Sequence, residues 1–438
     1  MESVTKIIVI GAGPAGLMAA GIAAGEIMSA GNGEVLLLER NPRVGRKIMI
    51  TGKGRCNFTN NCDTEKFLES IPTNPKFLYS ALYSFSPADT IAFFENLGLA
   101  TKTERGGRVF PASDQASDIV DALRGFVNAQ GVGIRKNSRA VELIFAPLEN
   151  LTYTKTKSNL PHTGIISGVK LDDGSVLQAD AVILASGGSS YPQTGSTGDG
   201  YKMAEKTGHT IVPLRPALVP LELCGNHYKL LQGLTLKNVV LDLKYNGDTV
   251  YKELGELLFT HFGVSGPLVL SASSKMQYGN QTGYTLHIDL KPGLNGKTLD
   301  KRLLRDFSEN SNKDFINSLS GLLPKKMIRF IVELSGIPER QKTHQITAAQ
   351  RERLVNLLKN LTFEVKGTRP LCEAIVTGGG IKTNEINPKT MESKLIKNLF
   401  FAGEIIDTDG FTGGFNMQIA FSTGYIAGKR VSKIFSVI

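Results

Sequence analysis

The chain has 438 residues, 41% of them hydrophobic and 21% charged, with 47 glycines and a formal charge of +10. That length predicts two or three domains, and the composition excludes disordered, collagenous and fibrous classes. The positive balance favours a polyanionic partner such as RNA without requiring one.

Met1-Glu2-Ser3 passes straight into an apolar strand with no basic region before it, so no secretory leader is expected. No apolar run approaches the ~20 residues of a bilayer-spanning helix, and a soluble protein with no membrane partner is expected. Cys56, Cys62, Cys224 and Cys372 are scattered without a CxxC pair, which suits the reducing cytoplasm rather than a disulfide framework. The six histidines show no HxxxH or HExxH spacing, so no metal site is expected.

Lys6–Ile10 reads as a buried strand, followed by the turn Gly11-Ala12-Gly13-Pro14-Ala15-Gly16, a helix to about Ala30 and a second strand, Glu34–Glu39. This strand, glycine turn, helix and strand make one βαβ unit, the context in which GxGxxG specifies a dinucleotide cradle. Gly11 permits the tight turn, Gly13 admits the diphosphate, and Gly16 lets the helix pack closely. Glu39, 23 positions after Gly16, ends the second strand where a carboxylate accepts ribose hydroxyls. A tight strand-to-helix turn without a ligand is the bland alternative.

Next come Gly45-Arg46-Lys47 and Thr51-Gly52-Lys53-Gly54-Arg55-Cys56-Asn57, glycines among cations that suit anionic oxygens or an electron-rich flavin edge. A solvated basic loop is the alternative. Helices are predicted over Pro87–Leu97 and Ser113–Ala129, the latter capped by Ser113 or Asp114. Strands are predicted over Ile165–Leu171 and Val176–Leu184, joined at Asp173-Gly174. Tyr191 and the Gly195–Gly200 loop are candidate flavin neighbours or simply a glycine-rich turn, and Arg55, Arg105 and Arg108 either hold an anionic substrate or solvate a rim.

From Gly208 to Leu290 short alternating stretches, including Val239–Tyr245 and Thr285–Leu290, predict a small β domain. His261, on its glycine-rich loop, is a candidate substrate-facing residue or a structural histidine. From Leu299 to Leu361 the spacing turns helical, with Leu303, Leu304, Phe307, Phe315, Leu319, Ile328, Ile331, Leu354 and Leu358 as apolar positions. Residues 300–366 carry 13 Lys or Arg against 8 Asp or Glu, half of the net charge of +10. Ala374–Ile381 and Leu399–Gly403 return to strand-plus-glycine character and re-enter the first domain. Glu404 follows at a strand end, and Gly413-Gly414-Phe415-Asn416 opens a helix to Ala427 whose N-terminus suits developing negative charge.

Taken in order, GAGPAG, GRKIMITGKGRCNFTN, GGRVFPASDQASDIV, LASGGSSYPQTGSTGDGY, ELLFTHFGVSGP, TMESK and FFAGEIIDTDGFTGGFNMQIAFSTG resemble the BaiN/YhiN-like, or aminoacetone-oxidase-like, family of FAD-dependent oxidoreductases over nearly the whole chain. The resemblance implies an α/β fold: a discontinuous glutathione-reductase-type FAD-binding Rossmann-like domain with an inserted β-barrel domain that carries a small helical subdomain. The expected boundaries are 1–204 with 373–438, 205–298 with 362–372, and 299–361. It also implies FAD contacts at Gly11, Gly13, Gly16, Glu39, Lys47, Gly54, Gly187, Gly403, Glu404, Gly414 and Asn416. Their neighbours Pro14, Ala15, Arg40, Gly52, Arg55, Cys56, Asn57, Gly413 and Phe415 complete the candidate cofactor set.

Cys56 is the leading catalytic candidate, as a thiol that donates a proton beside the flavin; the alternative is a small packed residue. Its five-residue gap to Cys62 differs from that of the glutathione-reductase-type disulfide, which disfavours a redox pair. A single GxGxxG after a suitable strand leaves no separate NAD(P) domain, so NAD(P)H is expected only as a transient electron donor. The resemblance implies three chemistries: reduction of a uracil C5–C6 bond in large-subunit ribosomal RNA to dihydrouridine, reduction of bile-acid-like enes, and oxidation of aminoacetone. The positive charge favours the RNA substrate. A non-catalytic FAD-binding scaffold or RNA-binding regulator is the reading from another class.

Overall fold

A computed structural model describes residues 5–30, 33–148, 162–277, 279 and 281–433; Met1-Glu2-Ser3 lies outside them. The chain divides into two units, Met1–Ala217 with Leu371–Ile438, and Leu218–Pro370.

The first unit is built on a five-stranded parallel sheet. β1 (Thr5–Ile10) lies at its centre, paired on one side with β2 (Gly33–Leu38) and on the other with Ala181–Leu184. Leu399–Phe401 and Gly133–Arg135 form the two edges. Ile7–Ile10 and Ala181–Leu184 are buried along their whole length, the continuous apolar pattern of a parallel sheet covered on both faces.

α1 (Pro14–Ala30) follows the glycine turn. It packs against the helix Phe415–Lys433, and small residues let the two backbones touch. A Cβ added at Gly424 would stand 2.4 Å from Ala15 O, and one at Gly428 2.4 Å from Ala19 O. The chain's last helix is thereby locked onto its first.

Two predicted elements differ in detail. The expected strand Val176–Leu184 is two strands: Val176–Gln178 pairs antiparallel with Gly164–Leu171, while Ala181–Leu184 joins the parallel sheet. No unbroken strand serves both partners, and the break is pinned by Asp180, whose Oδ2 accepts Lys6 N at 2.8 Å. The helix expected from Ser113 runs Ala116–Ala129 with Gln115 at its N-cap position, and Ser113 Oγ accepts from Gln115 N at 3.2 Å. The Asp173-Gly174 turn forms as expected, with Leu171 N bonded to Ser175 O at 2.9 Å and Gly174 at φ +86°.

Ile211–Ala217 pairs antiparallel with Val376–Ile381 and so belongs to the first unit, where the expected boundary at 205 had given it to the barrel. The second unit is a closed six-stranded barrel of Leu221–Leu223, Gly263–Ser265, Asp248–Phe259, Thr235–Tyr245, Tyr284–Asp289 and Leu361–Thr368. Along Thr235–Tyr245 the buried set is Leu236, Val239, Leu241 and Leu243, and the change of phase falls at an irregularity in the pairing between Leu236 and Val239.

Helices Gly296–Glu309, Lys325–Ser335 and Ala348–Lys359 bury Leu303, Phe307, Ile331, Leu354 and Leu358 in the same core as the barrel's Leu241 and Ile288. The helical segment is thus continuous with the barrel interior. Leu304 departs from expectation at 53% exposure, because the 299, 303, 307 stripe leaves position 304 on the outer face.

Gly424→Ala forces the two backbones apart, and an expected loss of about 1–3 kcal/mol should lower the denaturant midpoint at unchanged slope. A midpoint equal to the parent's rules out the close-packing account.

Candidate dinucleotide site

The site is built from loops at the carboxyl ends of the central strands. Gly11 has φ +100°, and a Cβ there would meet Ala185 O at 2.6 Å; at Gly16 it would stand 1.8 Å from Gly11 O. Packing alone therefore requires these two glycines. Gly13 is different, since an added Cβ meets nothing within 4 Å. Its missing side chain leaves space open at the start of α1, where backbone approach to a diphosphate calls for it. Pro14 opens the helix, where its missing N–H costs nothing, and Ala15 is buried beneath Gly403 and Gly424.

Glu39 is 7% exposed. Its Oε2 accepts Ala12 N at 3.0 Å, and its Oε1 accepts Asn41 N at 2.8 Å and Asn41 Nδ2 at 2.6 Å. These donors orient the carboxylate beside the glycine turn, and an ionised carboxylate keeps lone pairs for a diol.

A second cluster joins residues far apart in sequence. Lys47 Nζ lies 2.9 and 2.8 Å from the two oxygens of Glu404 and donates to Ser190 Oγ at 2.7 Å. Glu404 Oε1 also accepts Thr377 N at 2.8 Å, while Thr377 Oγ1 accepts Ser189 N and Ser190 N at 2.8 and 3.0 Å. The sequence reading missed Ser190, Thr377 and Asn41. The one sequence signal for Thr377 is the glycine run that follows it, within the strand-plus-glycine stretch Ala374–Ile381. Gly188 fits under this cluster, its added Cβ meeting Thr377 Oγ1 at 2.3 Å, and Gly187 and Gly403 turn the backbone at φ +75° and +78°.

Several expected cofactor contacts are committed elsewhere. Arg40 donates to Thr197 Oγ1 and, at 2.9 Å, to Asp199 Oδ2, a carboxylate that Arg139 also grips at 2.8 Å. Arg55 binds Asp114 at 2.7 Å and Glu104, with its guanidinium 4.2 Å from the Phe110 ring centre. Hydrogen bonds to Arg55 hold Glu104 below the usual carboxylate range, and those to Lys102 and Arg55 do the same for Asp114. Asn416 pins the loop before it, accepting from Gly410 N at 2.9 Å and donating to Gly410 O at 2.7 Å. Phe415 packs edge-on against Phe67 at 5.0 Å. Gly413 and Gly414 have φ +132° and +97°, and a Cβ at Gly414 would collide with Thr59 O at 2.3 Å. Gly52 and Gly54 turn the Ile48–Gly54 segment at φ +57° and +83°.

Cys56 is fully buried within the hydrophobic core, and burial pushes its thiol up to about 12 while a Thr51 hydrogen bond pulls the other way. This environment favours the packed-residue alternative over the proton donor. His261 lies in the second unit, exposed between two barrel strands, with its ring 4.9 Å from that of Phe262. Two other polar atoms point to a ligand. Asn57 Oδ1 and Ser186 Oγ are buried without a hydrogen-bond partner, one after the cationic loop and one beside Gly11 and Gly187. Among the described residues no cluster of His, Cys, Asp or Glu can hold a metal, and no helix is long and apolar enough to cross a membrane.

An open glycine turn and an oriented acidic strand end at the carboxyl edge of a parallel sheet, with buried unpartnered polar atoms close by, fit FAD and define a Rossmann-type flavoenzyme of the oxidoreductase class. The chain matches the family described as HI0933-like protein Rossmann domain over residues 5–430, and it belongs to that family. It is similar to the 3-dehydro-bile acid delta(4,6)-reductase of Clostridium scindens, 31% identical over 98% of this chain and 99% of that protein. It is also similar to the ribosomal RNA dihydrouridine synthase of Escherichia coli, 32% identical over 95% of this chain and 96% of that one. Among solved structures, the 3-ketosteroid-delta4-(5alpha)-dehydrogenase of Rhodococcus jostii shares the fold, with a TM-score of 0.52 at 13% identity over 99% and 98% of the two chains.

Gly13→Val places a branched side chain where a Cβ meets no protein atom within 4 Å, so the variant should melt like the FAD-free parent and purify without yellow colour. A variant that keeps stoichiometric FAD would dismiss the diphosphate assignment. The thiols give a separate check: in native protein at pH 8 a disulfide reagent should quickly label the exposed Cys224 and Cys372, and Cys56 only after denaturation. Rapid native labelling of Cys56 would restore it as a reactive thiol.

Proposed function

We propose that this flavoenzyme reduces the C5–C6 double bond of a uridine in large-subunit ribosomal RNA to dihydrouridine, with NAD(P)H as a transient electron donor and the cytoplasm as its place of action. The turn at Gly11–Gly16 holds the diphosphate and Glu39 the adenosine ribose. The Lys47, Glu404, Ser190 and Thr377 cluster holds the remaining hydroxyls and fixes the loops around them. When bound, FAD supplies the hydride chemistry. The protein's part is to grip the cofactor, hold the loops rigid and keep Cys56 packed and protonated.

The observation that carries the substrate choice is charge. The two kinds of relative stand at 31% and 32% identity, too close to decide between a steroid-like and an RNA substrate. A formal +10, half of it within residues 300–366, is not required by a small ene and suits the neutralisation of phosphates when RNA is bound. The bile-acid-like reading rests on the Clostridium relative. Aminoacetone oxidation and the non-catalytic scaffold have no comparable support. NAD(P)H is given a visiting role because the Gly11–Gly16 turn is the one GxGxxG following a suitable strand.

The decisive measurement is a nucleotide-resolution map of dihydrouridine in large-subunit ribosomal RNA with and without the gene. Deletion should abolish the mark at a defined uridine, and Gly13→Val should fail to restore it. An identical map in both strains would refute the RNA substrate, and flavin that no ene or quinone acceptor reoxidises would revive the scaffold.

A further inference from the structure

The second unit contains a cavity of about 250 Å³ between the strand Thr235–Tyr245 and the start of the helix Lys325–Ser335. This is several times the ~30 Å³ share of a water molecule, so it has room for more than a single ion. Leu236, Val239, Leu290 and Met327 form its apolar floor, each 7% exposed or less. Lys237 and Lys291 also line it.

Neither lysine forms an ion pair among the described residues. The neighbouring carboxylate is spent on another cation: Asp289, whose Oδ1 accepts Lys291 N at 2.9 Å, is held by Lys359 at 2.5 Å. Burial and the neighbouring Arg302 both disfavour the charged form of Lys291, the mark of an ammonium without a counter-ion. Pro324 lines the same cavity at the N-cap position of its helix, whose first turn has neither a side-chain cap nor an acidic residue. The peptide dipoles there add to the positive potential.

Resting on the RNA reading above, we propose that this pocket receives one phosphorylated nucleoside unit of the RNA strand, its phosphate between Lys237 and Lys291 and its base or sugar against the Leu236, Val239, Leu290 and Met327 floor. Apolar floor plus cationic rim is the division that a splayed nucleotide requires, since bases are held by apolar or stacking surfaces and phosphates by lysine. Such a site positions the RNA and leaves the redox chemistry to the flavin.

The test titrates full-length FAD-loaded protein with a fluorescent single-stranded fragment of large-subunit ribosomal RNA at several KCl concentrations. Lys237→Gln, on an exposed side chain, and Lys291→Met should each weaken binding about 3- to 10-fold and lower the salt slope by about one, with FAD content unchanged. Lys170→Gln, on an exposed lysine of the first unit, should bind as the parent does. Uridine 5′-monophosphate should displace the RNA from the parent far better than inorganic phosphate and lose that advantage in the double lysine variant.

Parent-like binding by both lysine variants overturns the pocket, as does an equal loss in Lys170→Gln. Equal competition by inorganic phosphate overturns the nucleoside part. The two proposals fail separately. Gene-dependent dihydrouridine with no effect of the lysines defeats the pocket alone, whereas lysine-dependent RNA binding with no gene-dependent dihydrouridine defeats the proposed reaction alone.

Discussion

The first unit depends on backbone meeting backbone at the start of α1. Gly16 lies over the Gly11 carbonyl, Gly11 against Ala185, Gly403 against the Ala15 methyl and Gly424 against the Ala15 carbonyl, each too close for a Cβ without displacement. Three stretches distant in sequence are thereby drawn to one point at the carboxyl ends of the parallel strands. That point is where an open α/β sheet binds its ligand. It also explains why both ends of the chain form one unit while the barrel between them is a long insertion.

Around this point the charged side chains are tied into pairs that build the loops. Arg40 and Arg139 share Asp199, and Arg55 joins Glu104 to Asp114. Such half-exposed pairs contribute little stability each, commonly under about 1 kcal/mol, so their value lies in shaping the loops that border the site. Lys47 and Glu404 are more enclosed, at 21% and 20% side-chain exposure, and the backbone and hydroxyl donors around Glu404 offset part of its desolvation. The most enclosed of these pairs is therefore also the one with the fullest hydrogen-bond support.

Much of this was legible in the residues, because the glycine turn and the acidic strand end act locally. A GxGxxG followed by a helix and a strand ending in Glu39 specifies its own geometry, whatever the rest of the chain does. Tertiary partners were not legible. Nothing in the cationic run around Arg55 announces that Glu104 and Asp114 will claim it, and nothing near Cys56 marks it as interior. Val176–Leu184 reads as one strand because apolar residues flank Asp180 on both sides; the split appears only when Lys6 is known to be the neighbour. Leu304 was misassigned for the same reason, since a helix with several leucines does not by itself say which stripe faces the core.

Cofactor and substrate are thus encoded at different levels. Flavin recognition needs glycines at fixed backbone positions, and at Gly11 and Gly16 the neighbouring backbone leaves no room for a Cβ. Substrate recognition can be spread over surface charge and one shaped cavity, whose exposed Lys237 lies outside the packed core. Lys291, half-buried beside Arg302 and without an ion pair among the described residues, is a place where an anionic group would be favoured. Under the proposed function, a phosphate entering beside Lys291 would supply that group, which ties RNA affinity to residues of the second unit rather than to the glycine turn of the first.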